Sequence, residues 1–278
     1  MTRKKKGILF IIGAAFCFSI MTVCVRASGD LPTMEKVLFR NLVAAFVSWG
    51  ILIKNRIPIK IAREDWPDLL MRSICGGLGM ILNFYAIDRL NISDANLLNK
   101  LSPFFAMLMS IWILKEKPSK KEWLVLGIAF VGALFVIKPG FNMTFIPGLA
   151  GTLGGLGAGV AYTFVRRLGS RGVPGTIIVM FFSTFTTLLC LPFFILSYQP
   201  MTLAQLACLL GAGLAATGGQ LCITSAYTYA PAKEISVYDY TQVVFAAIWG
   251  FILWGQIPDI YSIIGYVIII GVAFYRVL

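Results

Sequence analysis

Long apolar runs, broken by short polar punctuation, set the pattern of the chain. A bilayer core of about 30 Å is crossed by about 20 apolar residues in a helix. Backbone groups in lipid must pair within their own segment, so such runs become helices. The runs predict about ten spans. These are Gly7–Val25, Thr33–Ile53, Leu69–Ile87, Asp94–Leu114, Glu122–Ile137, Pro147–Val165, Gly175–Leu196, Leu203–Tyr227, Glu234–Trp254 and Ile260–Val277. The expected fold class is all-α transmembrane. The connections between spans are short and hold no separate soluble domain.

Composition agrees with the pattern. The chain is 58% hydrophobic and 13% charged, with a mean hydropathy of +0.84, where a soluble domain carries about 25% charge. A net charge of +12 on a soluble protein would point to nucleic acid. Here most basic residues fall in short connections, as the positive-inside rule requires, so no nucleic-acid partner is expected. With the N-terminus in the cytoplasm, that side holds Arg3, Lys4, Lys5 and Lys6; Lys54, Arg56, Lys60 and Arg63; and Lys115, Lys117, Lys120 and Lys121. It also holds Arg166, Arg167, Arg171, Lys233 and Arg276, with Arg72 near the boundary. The other side holds Arg26, Lys36, Arg89 and Lys138. The expected place is the cell (inner) membrane, multi-pass, with both termini cytoplasmic. The basic start followed by an apolar run imitates a signal peptide. The run to Val25 is long, and the second half has a counterpart without a basic leader, so it reads as a retained first span.

The six cysteines lie inside apolar runs and form no CxxC pair, which reads as buried small hydrophobes. The chain has no histidine. The commonest metal ligand and the usual near-neutral proton shuttle are therefore missing. No metal site and no cofactor are expected.

The chain also repeats itself. A constant offset of 140 positions pairs Val25 with Val165, Arg26 with Arg166, Gly29 with Gly169, and Gly79 with Gly219. It likewise pairs Ala86 with Ala226, Phe105 with Phe245, Ala106 with Ala246, and Pro118 with Pro258. The expected units are residues 1–140 and 141–278, each of five helices. An odd number of helices makes the second unit enter the membrane from the opposite side. Such inverted repeats recur in transporters, with the substrate site near the repeat interface.

Several stretches resemble the ten-helix EamA-like branch of the drug/metabolite transporter superfamily. They are Leu101-Ser102-Pro103-Phe104-Phe105 followed by Lys115-Glu116-Lys117-Pro118, then Gly127, and Phe39-Arg40-Asn41 in the second span. The second half carries Tyr240-Thr241-Gln242-Val243-Val244-Phe245-Ala246-Ala247 and Gln256-Ile257-Pro258. The halves differ at Val243 against Pro103 and at Gln256 against Glu116. The resemblance implies secondary active transport without ATP hydrolysis. It also implies a central cavity lined by helices one, three, four, six, eight and nine, with helices five and ten peripheral.

Charges within a span are costly, about 2.5–3.5 kcal/mol at the centre, and normally face a cavity or a partner. In the fourth span Asn96, Asn99, Lys100 and Pro103 share one helical face; in the ninth, Ser236, Asp239, Tyr240 and Val243 do so at the same spacing. These stripes are expected to face one another, with Lys100 and Asp239 meeting a charged substrate or coupling ion. A structural ion pair or a snorkelling lysine is the plainer alternative. Arg40 can take a carboxylate or phosphate bidentately, or pair with Glu35, or reach the headgroups. Asn83, Tyr85, Gln220 and Tyr227 complete the candidates, since polar groups at those depths need partners. Asp94 and Glu234 read better as helix-start acids. Tyr162, Trp112 and Trp249 read better as packing or interfacial aromatics. Glycines at four-residue spacing in the sixth and eighth spans permit close helix approach, and Pro103 predicts a kink beside the polar stripe.

Together these features predict a transporter of a small polar, zwitterionic or anionic metabolite, working by alternating access with proton coupling or exchange, as a monomer or homodimer. The alternative is a flippase for a lipid or lipid-linked molecule. A membrane enzyme would need convergent acids, histidines or a metal site, and the sequence offers none, so no enzyme is expected.

Overall fold

The computed structural model describes residues 2–90, 98–137, 145–255 and 257–277, the side chains of residues 87, 88, 254, 276 and 277 excepted. Every regular element among them is helical. The helices are α1 (Arg3–Ala27), α2 (Thr33–Lys54), α3 (Trp66–Arg89), α4 (Ser102–Ile113), α5 (Lys120–Ile137), α6 (Phe145–Ser170), α7 (Gly175–Ser197) and α8 (Leu203–Tyr229). The ninth passage is composite: a short α9 (Ala232–Ile235), a 3-10 segment (Ser236–Tyr240) and α10 (Thr241–Trp254). The chain ends in α11 (Ile260–Val277). Seven helices, with α9 to α10 taken as one, are long and apolar enough to cross a membrane, and α4 and α11 are shorter apolar helices.

The helix ends follow local chemistry. Thr202 and Gln205 form a capping box at the start of α8, which satisfies orphan N–H groups. α10 stops at Gly255, which adopts φ +62°, a left-handed conformation that costs glycine little.

The architecture is two inverted five-helix repeats. α1 lies along α8 and α3 along α6, two interfaces that the 140-residue offset exchanges. α2 packs on α7 and α5 on α11, each pair being its own counterpart. Glycine allows α3 and α6 to touch backbone to backbone. A Cβ on Gly79 would come within 3.0 Å of the Gly154 carbonyl, and one on Gly157 within 2.6 Å of the Cys75 carbonyl. Such contact replaces the missing hydrophobic drive between helices in lipid. Both termini lie at one end of the bundle. There Phe10 stacks on Tyr229 and Arg167 pairs with Asp68; α11 runs antiparallel to α5, with Gly265 against Gly132 and Val136 nearer the other end.

Three details depart from the sequence reading. First, α6 does not stop at Val165 but continues to Ser170, so Arg166 and Arg167 belong to a helix that projects past the span. Second, the fourth passage is not one continuous helix. Residues 98 and 99 are helical, Lys100 and Leu101 form a turn, and α4 begins at Ser102. Pro103 has no N–H to donate to the carbonyl of Asn99, so the ladder fails there. Third, the ninth passage is tightened into a 3-10 segment at the equivalent positions. Arg72, near the start of α3, is buried among the helices, with a relative exposure of 2%.

Candidate functional site

The two breaks face each other in the bundle centre. The Lys100 ammonium donates to Asp239 Oδ2 at 3.0 Å, to the Asp239 carbonyl at 3.3 Å and to Gln242 Oε1 at 2.7 Å. The Tyr240 hydroxyl donates to the Lys100 carbonyl at 3.0 Å. The Lys100 side chain is 9% exposed, so it is an internal ion-pair partner and does not snorkel. The turn at Lys100 leaves its own carbonyl to accept from the other half, while the Asp239 carbonyl accepts from the Thr241 N–H as well as from the ammonium. Discontinuous helices at mid-depth place polar backbone groups where a ligand can reach them.

The sequence candidates distribute as follows. Lys100, Asp239 and Tyr240 form one connected cluster. Tyr227 stacks on Tyr162 with ring centroids 4.9 Å apart, and its hydroxyl lies 3.5 Å from Ser236 Oγ. Arg40 donates through Nη1 to the thioether of Met80 at 2.8 Å; Glu35, its suggested partner, instead accepts from the Gln199 backbone N–H at 2.6 Å. Asn83 Oδ1 and Gln220 Nε2 are buried without a hydrogen-bond partner. Asn99 is half-buried. Asn96 and Asp94 lie outside the described residues. Trp112 points away from the bundle with 65% exposure, and the Trp249 indole donates to Ser19 Oγ. Gln242 and Arg72 were missed. Gln242 stands three residues beyond Asp239, on the same stripe. Arg72 has a subtler signal: Gly76 follows one turn later and makes room for a large side chain folded over it.

A cavity of about 520 Å³ opens from Lys100 and Gln242 toward the end of the bundle opposite the termini. Its walls include Thr22 of α1, Ile137 of α5, Val243 and Ala247 of α10, and Asp259, Ser262 and Tyr266 near and in α11. The end that carries the termini is shut. There the Tyr162–Tyr227 stack closes α6 on α8. Arg166 Nη1 donates to the Thr228 carbonyl at 2.8 Å and Arg166 Nε lies 4.0 Å from Glu116. Arg171 donates to Asp65 and Asp68 at 3.0 and 3.1 Å. α6 and α8 thus meet, whereas α1 and α3, which the repeat makes their equivalents, have no comparable contact among the described residues.

The family model for the EamA-like transporter family matches residues 5–138 and again 146–277, one match for each five-helix unit. The chain belongs to the EamA-like transporter family. It is a multi-pass membrane transporter within the drug/metabolite transporter superfamily. It is similar to the pseudopaline exporter CntI of Pseudomonas aeruginosa, at 33% identity over 273 residues, covering 96% of this chain and 94% of that one. It is also similar to the human solute carrier family 35 member G1, at 24% identity, covering 93% and 75% of the two chains. A solved crystal structure superposes with a TM-score of 0.84 at 17% identity over 98% of both chains, a likeness of fold.

Proposed function

We propose that this EamA-like transporter is a secondary active transporter that moves a small polar, zwitterionic or anionic metabolite by alternating access. The observation that supports it best is the unequal state of two equivalent interfaces. α6 and α8 close one end, while α1 and α3 stand apart at the other. Two inverted halves that exchange these arrangements open the centre first to one side and then to the other. Lys100, Asp239, Tyr240 and Gln242 sit where the exchange takes place, and an intramembrane ion pair there is a place for substrate or a coupling proton to act. Asn83, Gln220, Tyr227, Asn99 and Arg40 are further polar residues of these spans that a substrate could engage, and Asn96 remains a candidate on its place in the sequence. The excess of basic residues in the connections supports cytoplasmic termini, an orientation in which the cavity faces outward, and the 140-residue offset supports a unit boundary near residue 140. The exporter among the relatives favours outward movement.

A second reading, a flippase for a lipid or lipid-linked molecule, draws on the apolar cavity walls of α5 and α10, which an acyl chain would fit. Counterflow in proteoliposomes separates the two. The expected outcome is exchange of a water-soluble compound that also stabilises the purified protein, and that is lost in Asp239→Asn and Lys100→Met. Scrambling of a labelled lipid without soluble counterflow would overturn the proposal.

A further inference from the structure

We propose that Arg72 and Arg40 form an oxyanion site, so that the transported molecule is an organic anion held by its carboxylate groups. The inference rests on the transport reading above and names its substrate class.

Arg72 has a relative exposure of 2% and makes no hydrogen bond or ion pair among the described residues. Its guanidinium lies over the Phe182 ring, 4.0 Å from the centroid. A ring face attracts the cation, but it leaves the five edge donors unused. The Arg72 Nε is buried without a partner. Arg40 is similar: its Nη1 meets only the Met80 thioether, a weak acceptor, and its Nε is buried and unpartnered. The seat for Arg72 is built. Gly76 leaves the space that Nη1 occupies, with Phe182 of α7 and Ala161 of α6 closing around it. Tyr162 lies within electrostatic range of both guanidiniums and of Asp239, which joins the pair of arginines to the bundle centre.

Among the described residues, no acid pairs with either guanidinium, although Glu35 Oε2 is itself buried without a partner. Asp239 serves Lys100, Asp65 and Asp68 serve Arg171, Glu116 faces Arg166, and Glu35 accepts from the Gln199 backbone. A buried cation without a counter-charge is unfavourable in a folded membrane protein. Arg72, buried, and Arg40, half-buried, neither paired with an acid among the described residues, offer their donors to an anion from outside the chain. The planar fork of arginine matches carboxylate and phosphate bidentately. Thermal stabilisation by succinate, citrate, glycerol 3-phosphate and choline chloride, each against sodium chloride at equal ionic strength, tests this on the purified full chain. The wild type and the surface control Arg63→Met are expected to be stabilised by at least one carboxylate, and Arg72→Met and Arg40→Met to lose that shift. Without ligand, Arg72→Met is expected to melt no lower than wild type, since it removes a charge without a partner. Stabilisation by the phosphate ester alone would reassign the site to phosphate and overturn the carboxylate class. No anion shift in the wild type, or a shift that survives in Arg72→Met, would overturn the site itself. Counterflow of a neutral or cationic compound alone would overturn the substrate class while leaving transport standing; no counterflow of any soluble compound would remove the transport reading.

Discussion

The hydroxyl of Tyr240 donates to the carbonyl of Lys100 across 3.0 Å, and the two residues stand 140 positions apart. That spacing is the offset of the repeat, so they are equivalent positions in the two halves. Equivalent positions touch only near the axis that relates the halves. The broken fourth and ninth passages therefore meet on this axis, where a rocking motion displaces atoms least. An ion pair placed there can stay in reach of both sides.

The Lys100–Asp239 pair should behave as a coupled unit. Removing one member of a buried pair strands the other and costs about 3–5 kcal/mol, while replacing both with apolar groups recovers much of the loss. Lys100→Met and Asp239→Leu are each expected to lower the melting temperature, and the double variant to fall less than the sum of the two. Transport should be lost in all three. Strictly additive losses, read by thermal melting in detergent, would show that the contact carries no coupling.

Closure of the end that carries the termini depends on Gly169. A Cβ there would approach the Thr228 side chain to 2.5–2.8 Å, inside normal contact distance. Gly169→Val should prevent α6 from closing on α8 and shift the population toward the opposite state. Spin labels at Ser170 and Tyr229, in a background lacking the native cysteines, are expected to show a longer mean distance in the variant. An unchanged distance distribution would remove this interface from the cycle.

Much of this was legible in the sequence because lipid imposes simple rules. The run lengths gave the span positions, and the 140-residue offset marked the inverted halves before any geometry. The breaks at Lys100 and at Ser236–Tyr240 were not legible as breaks, because helical spacing continues smoothly through both. Pro103 signalled a kink, but the ninth passage has no proline. There the 3-10 turn is accompanied by a partner from the other half, the Lys100 ammonium on the Asp239 carbonyl. The burial of Arg72 was not legible for a related reason, since only the packing of Gly76, Ala161 and Phe182 around it reveals the seat.

Glu116 supplies a pH dependence. It lies in the connection between α4 and α5, and burial raises its carboxyl above the ordinary 4.5, with Arg166 opposing the shift. The folded state then binds more protons than the unfolded state between 4.5 and the raised value. Stability therefore falls as pH rises through that window. Glu116→Gln should flatten this part of the profile. A melting profile with the same slope in the variant would assign the dependence to another group.

Pro103 sits in the first turn of α4, where its missing N–H costs the helix little. Alanine at that position would restore a donor for the Asn99 carbonyl and favour a continuous helix through Lys100. The turn is also held from the other half by Tyr240, so Pro103→Ala is not expected to abolish folding. Instead the variant should populate a straighter fourth passage that competes with the Lys100–Asp239 contact. The expected result is an unchanged or slightly higher melting temperature with a reduced maximal transport rate. Apparent substrate affinity should change less than the rate, because the loss falls on interconversion and not on the binding groups. Initial-rate counterflow across substrate concentrations reads both quantities, and wild-type kinetics in the variant would show that the broken helix plays no part in turnover.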